Sequence, residues 1–317
     1  MSKVVVTQKT DEQVLQLLRG VAEVVQVREG DLDDLKKKLP GAAAVLIGTW
    51  MKFNAELMDL ASGLKVISRT GAGVDNVDVE AATRRRILVL NTPTANTISV
   101  AEHAVALLLA LSKHLAFLDA SVRQGNFKAR RLYLPVDIEG KTLGLIGCGN
   151  IGRLVADKCR DAFHMRTIGF DPFLKAAPEG IELQATMREV LEQADYVSLH
   201  LPYSAETKNL LGRKGLSMMK PSAFLINTSR GGIVNEAALA GALNAGAIAG
   251  AALDVFEHEP PEPGSPLLSC KNLLMTPHTA ALTRECVVRV AQCAAQGIVD
   301  CLSGRRPGFV YNRAVLD

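Results

Sequence analysis

Aromatic residues are scarce: one Trp, four Tyr and nine Phe in 317 residues, 4% of the chain. No stripe of them alternates with basic residues, so a base-stacking nucleic-acid surface is not expected. A surplus of one charge is also lacking. Thirty-six Lys and Arg face 33 Asp and Glu, a formal net charge of +3, too small to steer a polyanion. The longest unbroken apolar run covers residues 104–111, far short of the roughly 20 residues of a membrane span, and no membrane partner is expected. Met1-Ser2-Lys3-Val4-Val5-Val6 leads directly into a strand-like pattern, so no leader peptide is expected. Six cysteines stand at 148, 159, 270, 286, 293 and 301 without a C-x-x-C. That spacing excludes the common metal knots and suits free thiols in a reducing, cytoplasmic compartment; no metal is expected.

What is present is a rhythm of short β-branched runs and longer helical patterns. Strands are expected at residues 4–6, 44–47, 65–67 and 88–90, then at 143–146, 167–170, 196–199, 224–226, 251–253 and 273–275. These runs are apolar throughout, the mark of strands buried on both faces in a parallel sheet. Alternating strands and helices imply right-handed βαβ units and a doubly wound α/β architecture. A helical pattern at 100–118, followed by an Arg-rich loop at 123–139, separates the two series, and another helix at 285–302 closes the chain. Two hinged domains are expected, 1–98 with 284–317 and 99–283, and a cleft between such domains is the default ligand site.

Gly147-Cys148-Gly149-Asn150-Ile151-Gly152 is a G-x-G-x-x-G placed between the 143–146 strand and a helical pattern at 153–160. The first glycine makes the turn, the second admits a pyrophosphate and the third lets helix and strand pack closely. The helix N-terminus adds unsatisfied N–H groups for the phosphates. Asp171 ends the next strand 19 residues after Gly152, where an acid holds the ribose 2′-hydroxyl and repels a 2′-phosphate. The combination points to NAD rather than NADP.

Three further segments follow expected strands of the same domain: Asn227-Thr228-Ser229-Arg230-Gly231-Gly232, Asp254-Val255-Phe256-Glu257-His258-Glu259-Pro260 and Thr276-Pro277-His278-Thr279-Ala280. They supply a guanidinium, a carboxylate and an imidazole. Hydride transfer to a 2-keto acid needs these three: a planar cation for the substrate carboxylate, a general acid near pH 7 for the carbonyl oxygen, and a carboxylate to orient that acid and favour its protonated form. Taken singly, Arg230, Glu259 and His278 also read as a turn residue, a surface acid and a cap.

These segments resemble the D-isomer-specific 2-hydroxyacid dehydrogenases, and the resemblance runs along nearly the whole chain. Arg69-Thr70-Gly71-Ala72-Gly73-Val74-Asp75-Asn76-Val77-Asp78 is similar to the family's substrate-carboxylate loop. Asn91-Thr92-Pro93 and Asn96-Thr97-Ile98-Ser99-Val100-Ala101-Glu102 are similar to its link into the inter-domain helix. The resemblance implies a flavodoxin-like substrate domain, a Rossmann NAD-binding domain and a homodimer in which the 100–118 helix and the following arm clasp the partner. It implies Arg230, Glu259 and His278 as the catalytic set, with Ala72, Gly73, Val74 and Arg230 binding the substrate. The NAD site is expected from Gly147, Gly149, Asn150, Ile151, Gly152, Asp171, Leu201, Thr228, Ser229, Asp254, His278 and Ala280. The phosphoglycerate dehydrogenase and hydroxypyruvate or glyoxylate reductase branches are the most similar.

Departures bear on the substrate. Where the phosphoglycerate branch commonly carries an Arg, this chain reads Gly48-Thr49-Trp50-Met51-Lys52, so only Lys52 is at hand for a phosphate. Trp50 either faces the cleft, favouring small keto acids, or packs under its loop. His103 and His114 read as packing or surface residues, His258 as solvated and Cys148 as a small filler; His200 either touches the nucleotide or does not. An NAD-sensing, corepressor-like binding protein on the same fold is the alternative function.

Overall fold

The computed structural model describes residues 1–132 and 134–316. Tyr133, within the expected arm, and Asp317 lie outside the described residues. Contacts divide the chain into two compact units, 1–96 with 282–317, and 97–281.

The first unit holds β1 (Ser2–Val6), β2 (Ala22–Gln26), β3 (Ala44–Ile47), β4 (Val66–Arg69) and β5 (Leu88–Leu90), all parallel in the order β2-β1-β3-β4-β5. Successive strand residues point to opposite faces, and each face is covered. Val5, Val45, Ile47, Ile67 and Val89 pack with Leu35, Leu57 and Ala81 from helices Leu32–Lys38, Ala55–Asp59 and Val79–Arg84. Val4, Val6, Leu46 and Val66 pack with Leu15 and Leu18 of helix Glu12–Arg19 and with Ala294 and Ile298 of helix Arg284–Leu302. This double cover explains why the strands read as unbroken apolar runs. Strand β2 was not expected. It is the sheet edge, with only Ala22 buried, so Ala-Glu-Val-Val-Gln lacks the apolar density of its neighbours.

The second unit holds β6 (Thr142–Ile146), β7 (Arg166–Phe170), β8 (Glu182–Leu183), β9 (Tyr196–Leu199), β10 (Phe224–Asn227), β11 (Gly250–Leu253) and β12 (Leu273–Met275). They form one parallel sheet, β12-β11-β10-β9-β6-β7-β8. Again both faces are covered. Ile146, Val197, Leu225 and Leu253 join one cluster. Leu143, Leu145, Ile226 and Ala252 join another with Leu107, Leu108 and Leu111, where truncating one buried Leu to Ala costs about 2–5 kcal/mol. The two-residue edge strand β8 is too short to have left a sequence pattern.

One expectation is corrected here. The 100–118 pattern is two helices, Thr97–Ser112 and Leu115–Arg123, meeting at 59°. His114 sits between them with φ +49, a left-handed conformation that a continuing α-helix does not accept. Among the described residues, no single helix is long and apolar enough to cross a membrane.

Candidate active site

Strand register assembles the site. Asn227 pairs with Leu253 and Leu253 with Met275, so β10, β11 and β12 end level. Their exit residues Thr228, Asp254 and Thr276 therefore start three loops side by side. On the other half of the sheet, the Gly147 N–H donates to the Phe170 carbonyl (2.9 Å) and the His200 N–H to the Ile146 carbonyl (2.8 Å). The glycine loop, Asp171 and His200 thus share one edge, where open parallel sheets bind ligands.

The glycine loop is set by sterics. Gly147 has φ +93, and a Cβ there would collide with the His200 carbonyl oxygen. A Cβ on Gly152 would strike the Gly147 carbonyl oxygen, yet one on Gly149 would meet nothing within 4 Å. Gly147 and Gly152 are thus required by the protein itself, and Gly149 opens a cradle at the N-terminus of helix Asn150–Phe163. Asn150 is exposed and Ile151 half-buried at that end. Asp171 braces the loop: its Oδ2 accepts the Cys148 N–H at 3.0 Å and its Oδ1 the Phe173 N–H at 3.0 Å. The Cys148 side chain is fully buried. Burial first, then the nearby Asp171 carboxylate, pushes its thiol up to about 11, an inert filler as expected. His200 lies under the loop with Nε2 2.9 Å from Ser198 Oγ. Burial lowers its imidazole to about 4, so it is neutral near pH 7.

The exit of β10 is a tight turn. Asn227 Oδ1 accepts the Ser229 N–H (3.0 Å) and hydroxyl (2.7 Å), and its Nδ2 donates to the Arg230 carbonyl (3.0 Å). Arg230 Nη1 donates to the Ser229 carbonyl at 2.7 Å. A Cβ on Gly231 would strike the Phe256 carbonyl, so this turn packs directly on the loop leaving β11. Thr228 is buried and its hydroxyl has no protein partner, an orphaned polar atom of the kind that a bound ligand satisfies.

Within the loops after β11 and β12, His278 Nδ1 lies 2.8 Å from Glu259 Oε2, and Glu259 Oε1 accepts the Phe256 N–H at 3.1 Å. The imidazole is 48% and the carboxylate 38% exposed, open to a reactant. With Nδ1–H facing the carboxylate, Nε2 is the atom presented outward. His278 has φ +52, and its N–H donates to the Asp254 carbonyl at 2.8 Å.

In the first unit, the loop after β4 is held by its carbonyls. Those of Gly71, Ala72 and Val74 accept from the Thr92 N–H, Asn91 Nδ2 and the Val77 N–H. Among the described residues, the N–H groups of Ala72, Gly73 and Val74 donate to no protein acceptor. Asn76 Nδ2 ties this loop to the one after β3 through the Gly48 (2.8 Å) and Met51 (2.9 Å) carbonyls. Trp50 takes the packing alternative: its indole N–H donates to the Thr7 carbonyl at 2.6 Å and its ring joins the core around Phe53.

The model of the D-isomer specific 2-hydroxyacid dehydrogenase NAD-binding domain matches residues 105–280, more than half of the chain. The chain belongs to this family. It is 39% identical over 306 residues to D-3-phosphoglycerate dehydrogenase of Archaeoglobus fulgidus, covering 95% of this chain and 58% of that protein. It is 40% identical over 304 residues to D-3-phosphoglycerate dehydrogenase of Mycobacterium tuberculosis, covering 95% and 57%. The chain thus spans between half and three-fifths of the length of the curated relatives it matches. Among solved structures it is similar to the TT0316 protein of Thermus thermophilus, with a TM-score of 0.89, 38% identity and 98% and 99% coverage. It is also similar to the NADPH-dependent glyoxylate/hydroxypyruvate reductase of Sinorhizobium meliloti, with a TM-score of 0.88, 29% identity and 99% coverage of each chain.

For a member of this dehydrogenase family the residues fit NAD: an open cradle at Gly149, free helix N–H groups, an acid at the end of β7 and an orphaned Thr228 hydroxyl. Leu201 is half-buried beside Gly147. Two expected NAD contacts are turned inward instead. Asp254 is fully buried. Its Oδ1 accepts the Thr276 hydroxyl (2.6 Å) and the Thr279 N–H (2.9 Å), and its Oδ2 the buried Ala280 N–H (2.9 Å). Burial opposes its charge, yet hydrogen bonds from His103, Thr276, Ala280 and Thr279 prevail and hold the carboxyl below its usual range. Sequence reasoning missed two residues here. The Asn227 turn clamp left a signal, an Asn at a strand exit. His103, set aside as a packing residue, points at Thr276 and Asp254, which no local pattern announces.

Proposed function

We propose that this chain is an NAD-dependent oxidoreductase that interconverts D-2-hydroxy acids and 2-keto acids. The observation that carries the reading is the His278–Glu259 pair, 2.8 Å apart, on loops that leave the same sheet edge as Arg230 and the glycine cradle. NAD held at the cradle of residues 147–152 would supply or take the hydride at C2 of the substrate. In reduction, Arg230 pairs with the substrate carboxylate through its planar fork, and His278 donates its Nε2 proton to the carbonyl oxygen as that oxygen gains charge. Glu259 holds the imidazole in the productive orientation and stabilises its cation. In oxidation His278 takes the hydroxyl proton back. Gly147, Gly149, Asn150, Ile151, Gly152, Asp171, Leu201, Thr228, Ser229 and His278 are assigned to the NAD side. Residues 1–98 with 284–317 are assigned as the substrate domain, where the N–H groups of Ala72, Gly73 and Val74 receive the substrate carboxylate.

The substrate class is hydroxypyruvate, glyoxylate or 3-phosphohydroxypyruvate. The first two agree with the lack of an Arg in the 48–52 loop, and the third with the names of the curated relatives. The deciding experiment is NADH oxidation with glyoxylate, hydroxypyruvate, pyruvate and 3-phosphohydroxypyruvate, for the protein as it stands and for His278→Asn. Turnover abolished by His278→Asn supports the reading. Tight NADH binding without turnover of any keto acid favours a nucleotide-sensing protein. A homodimer is proposed on the exposed apolar side chains of the arm, Phe127, Leu132 and Leu134, and is checked by sedimentation. A cytoplasmic location is proposed on six free cysteines.

A further inference from the structure

His103 projects from helix Thr97–Ser112 with its ring 23% exposed. Its Nε2 is 3.0 Å from the Thr276 hydroxyl and 3.5 Å from Asp254 Oδ1. Thr276 and Asp254 are neighbours because Met275 and Leu253 pair in the sheet and each is followed by one of them. The hydrogen bonds define the direction of this network. A threonine hydroxyl has one proton and two lone pairs. Thr276 lies 2.6 Å from Asp254 Oδ1, so its proton goes to the carboxylate, which also accepts the amides of Thr279 and Ala280. The hydroxyl then has only lone pairs to offer His103, and His103 Nε2 is a donor. The same carboxylate grips the chain on the C-terminal side of His278, and the Asp254 carbonyl accepts the His278 N–H itself at 2.8 Å.

We propose that His103 is a positioning residue for the His278 loop: its Nε2–H, through the Thr276 hydroxyl, holds Asp254 in the place from which Asp254 fixes residues 276–280. The catalytic consequence rests on the reading of His278 as the acid/base; the anchoring itself does not. A histidine kept only for packing has no reason to aim a nitrogen at the junction of a hydroxyl and a buried carboxylate. Positioning matters because His278 stands at positive φ on a short loop, and a proton donor displaced by a fraction of an ångström loses much of its effect.

The test compares His103→Ala with His103→Gln, whose side-chain amide places an N–H donor near the position of Nε2. Three quantities are read: kcat and KM for the best keto acid, the NADH dissociation constant, and hydrogen exchange at the Thr279 and Ala280 amides. His103→Ala is expected to lower kcat about tenfold or more, to leave KM within about threefold, and to speed exchange at those two amides. His103→Gln is expected to restore both kcat and protection. Wild-type kcat and exchange in His103→Ala overturn the proposal. So does failure of Gln to rescue, or exchange that rises equally along helix Thr97–Ser112, which marks a packing role. If His278→Asn remains active, the acid/base reading fails separately; the exchange comparison still reports on the anchor.

Discussion

The Asp171 carboxylate accepts the backbone N–H of Cys148, inside the glycine loop, at 3.0 Å. An acid expected only to meet the ribose is therefore also a brace for the loop that meets the pyrophosphate. A 2′-phosphate close to it is repelled. NADH is expected to exceed NADPH by about tenfold or more in kcat/KM, or about 1.4 kcal/mol. Asp171→Ala is expected to narrow that gap mainly by weakening NADH, because the repulsion and the brace go together. Equal efficiency of the wild-type protein with both cofactors refutes this.

Glu259 holds His278 by a 2.8 Å contact to Nδ1. Glu259→Gln keeps a similar shape but removes the carboxylate that orients the ring through Nδ1. The loss in kcat/KM for keto-acid reduction is expected to be about 10²-fold, with His278→Asn lower still, in the range of general acid catalysis. NADH affinity is expected to stay within about threefold. Unchanged turnover in Glu259→Gln sinks the pairing.

Arg230→Ala is expected to lower kcat/KM by on the order of 10²-fold or more while NADH still binds, and Arg230→Lys to recover little, because an ammonium cannot reproduce the bidentate fork. Steady-state kinetics beside NADH fluorescence titration checks both halves. Near-native efficiency in Arg230→Ala removes the residue from the site.

The three glycines of the loop are expected to behave differently. Gly149→Ala, with open space at its Cβ, is expected to keep the melting temperature and to weaken NADH binding at least about tenfold. Gly152→Ala, whose Cβ meets the Gly147 carbonyl, is expected to lower the melting temperature whether or not nucleotide is present, as overpacking does, by about 1–3 kcal/mol. Calorimetry with and without NADH separates them; identical behaviour contradicts the cradle.

His200 makes stability depend on pH. Its imidazole is lowered to about 4 by burial in the folded protein, and an unfolded histidine titrates near 6.5. Between those values the unfolded chain binds the extra proton. Stability from this group is therefore full above about pH 6.5 and falls as pH drops toward about 4. Part of the residue reaches solvent, so the loss is about 1–3 kcal/mol rather than the full linkage value. Urea unfolding at about pH 7 and about pH 5 is expected to show a smaller difference in His200→Gln. Parallel pH dependence in the two proteins shows that another group is responsible.

Much of the fold was legible because its constraints are local. Val4, Leu46 and Ile226 sit in strands covered on both faces, so most residues of the run are apolar, and a run of that kind is visible without any partner. Gly147 and Gly152 were legible for a similar reason: a turn that tight forbids a Cβ at fixed intervals along the chain. Their spacing to Asp171 follows from one helix and one strand. Strand β2, on a half-exposed edge, carried no such mark, and the break at His114 depended on a backbone conformation that the apolar pattern of its neighbours did not betray.

The amino-acid order by itself determined which residue types could do chemistry: a guanidinium, carboxylates and imidazoles after three successive strands, and an acid at the right distance from a glycine turn. Tertiary structure alone decided which of them meet. The register of β11 and β12 put Asp254 beside Thr276, where its carboxylate also meets the amides of Thr279 and Ala280. A helix far earlier in the chain brought His103 onto that pair. Trp50 was drawn to the Thr7 carbonyl. Such choices rest on contacts between segments distant in sequence, where direction and distance set the energy of a hydrogen bond, and neither quantity is written in the order of the residues.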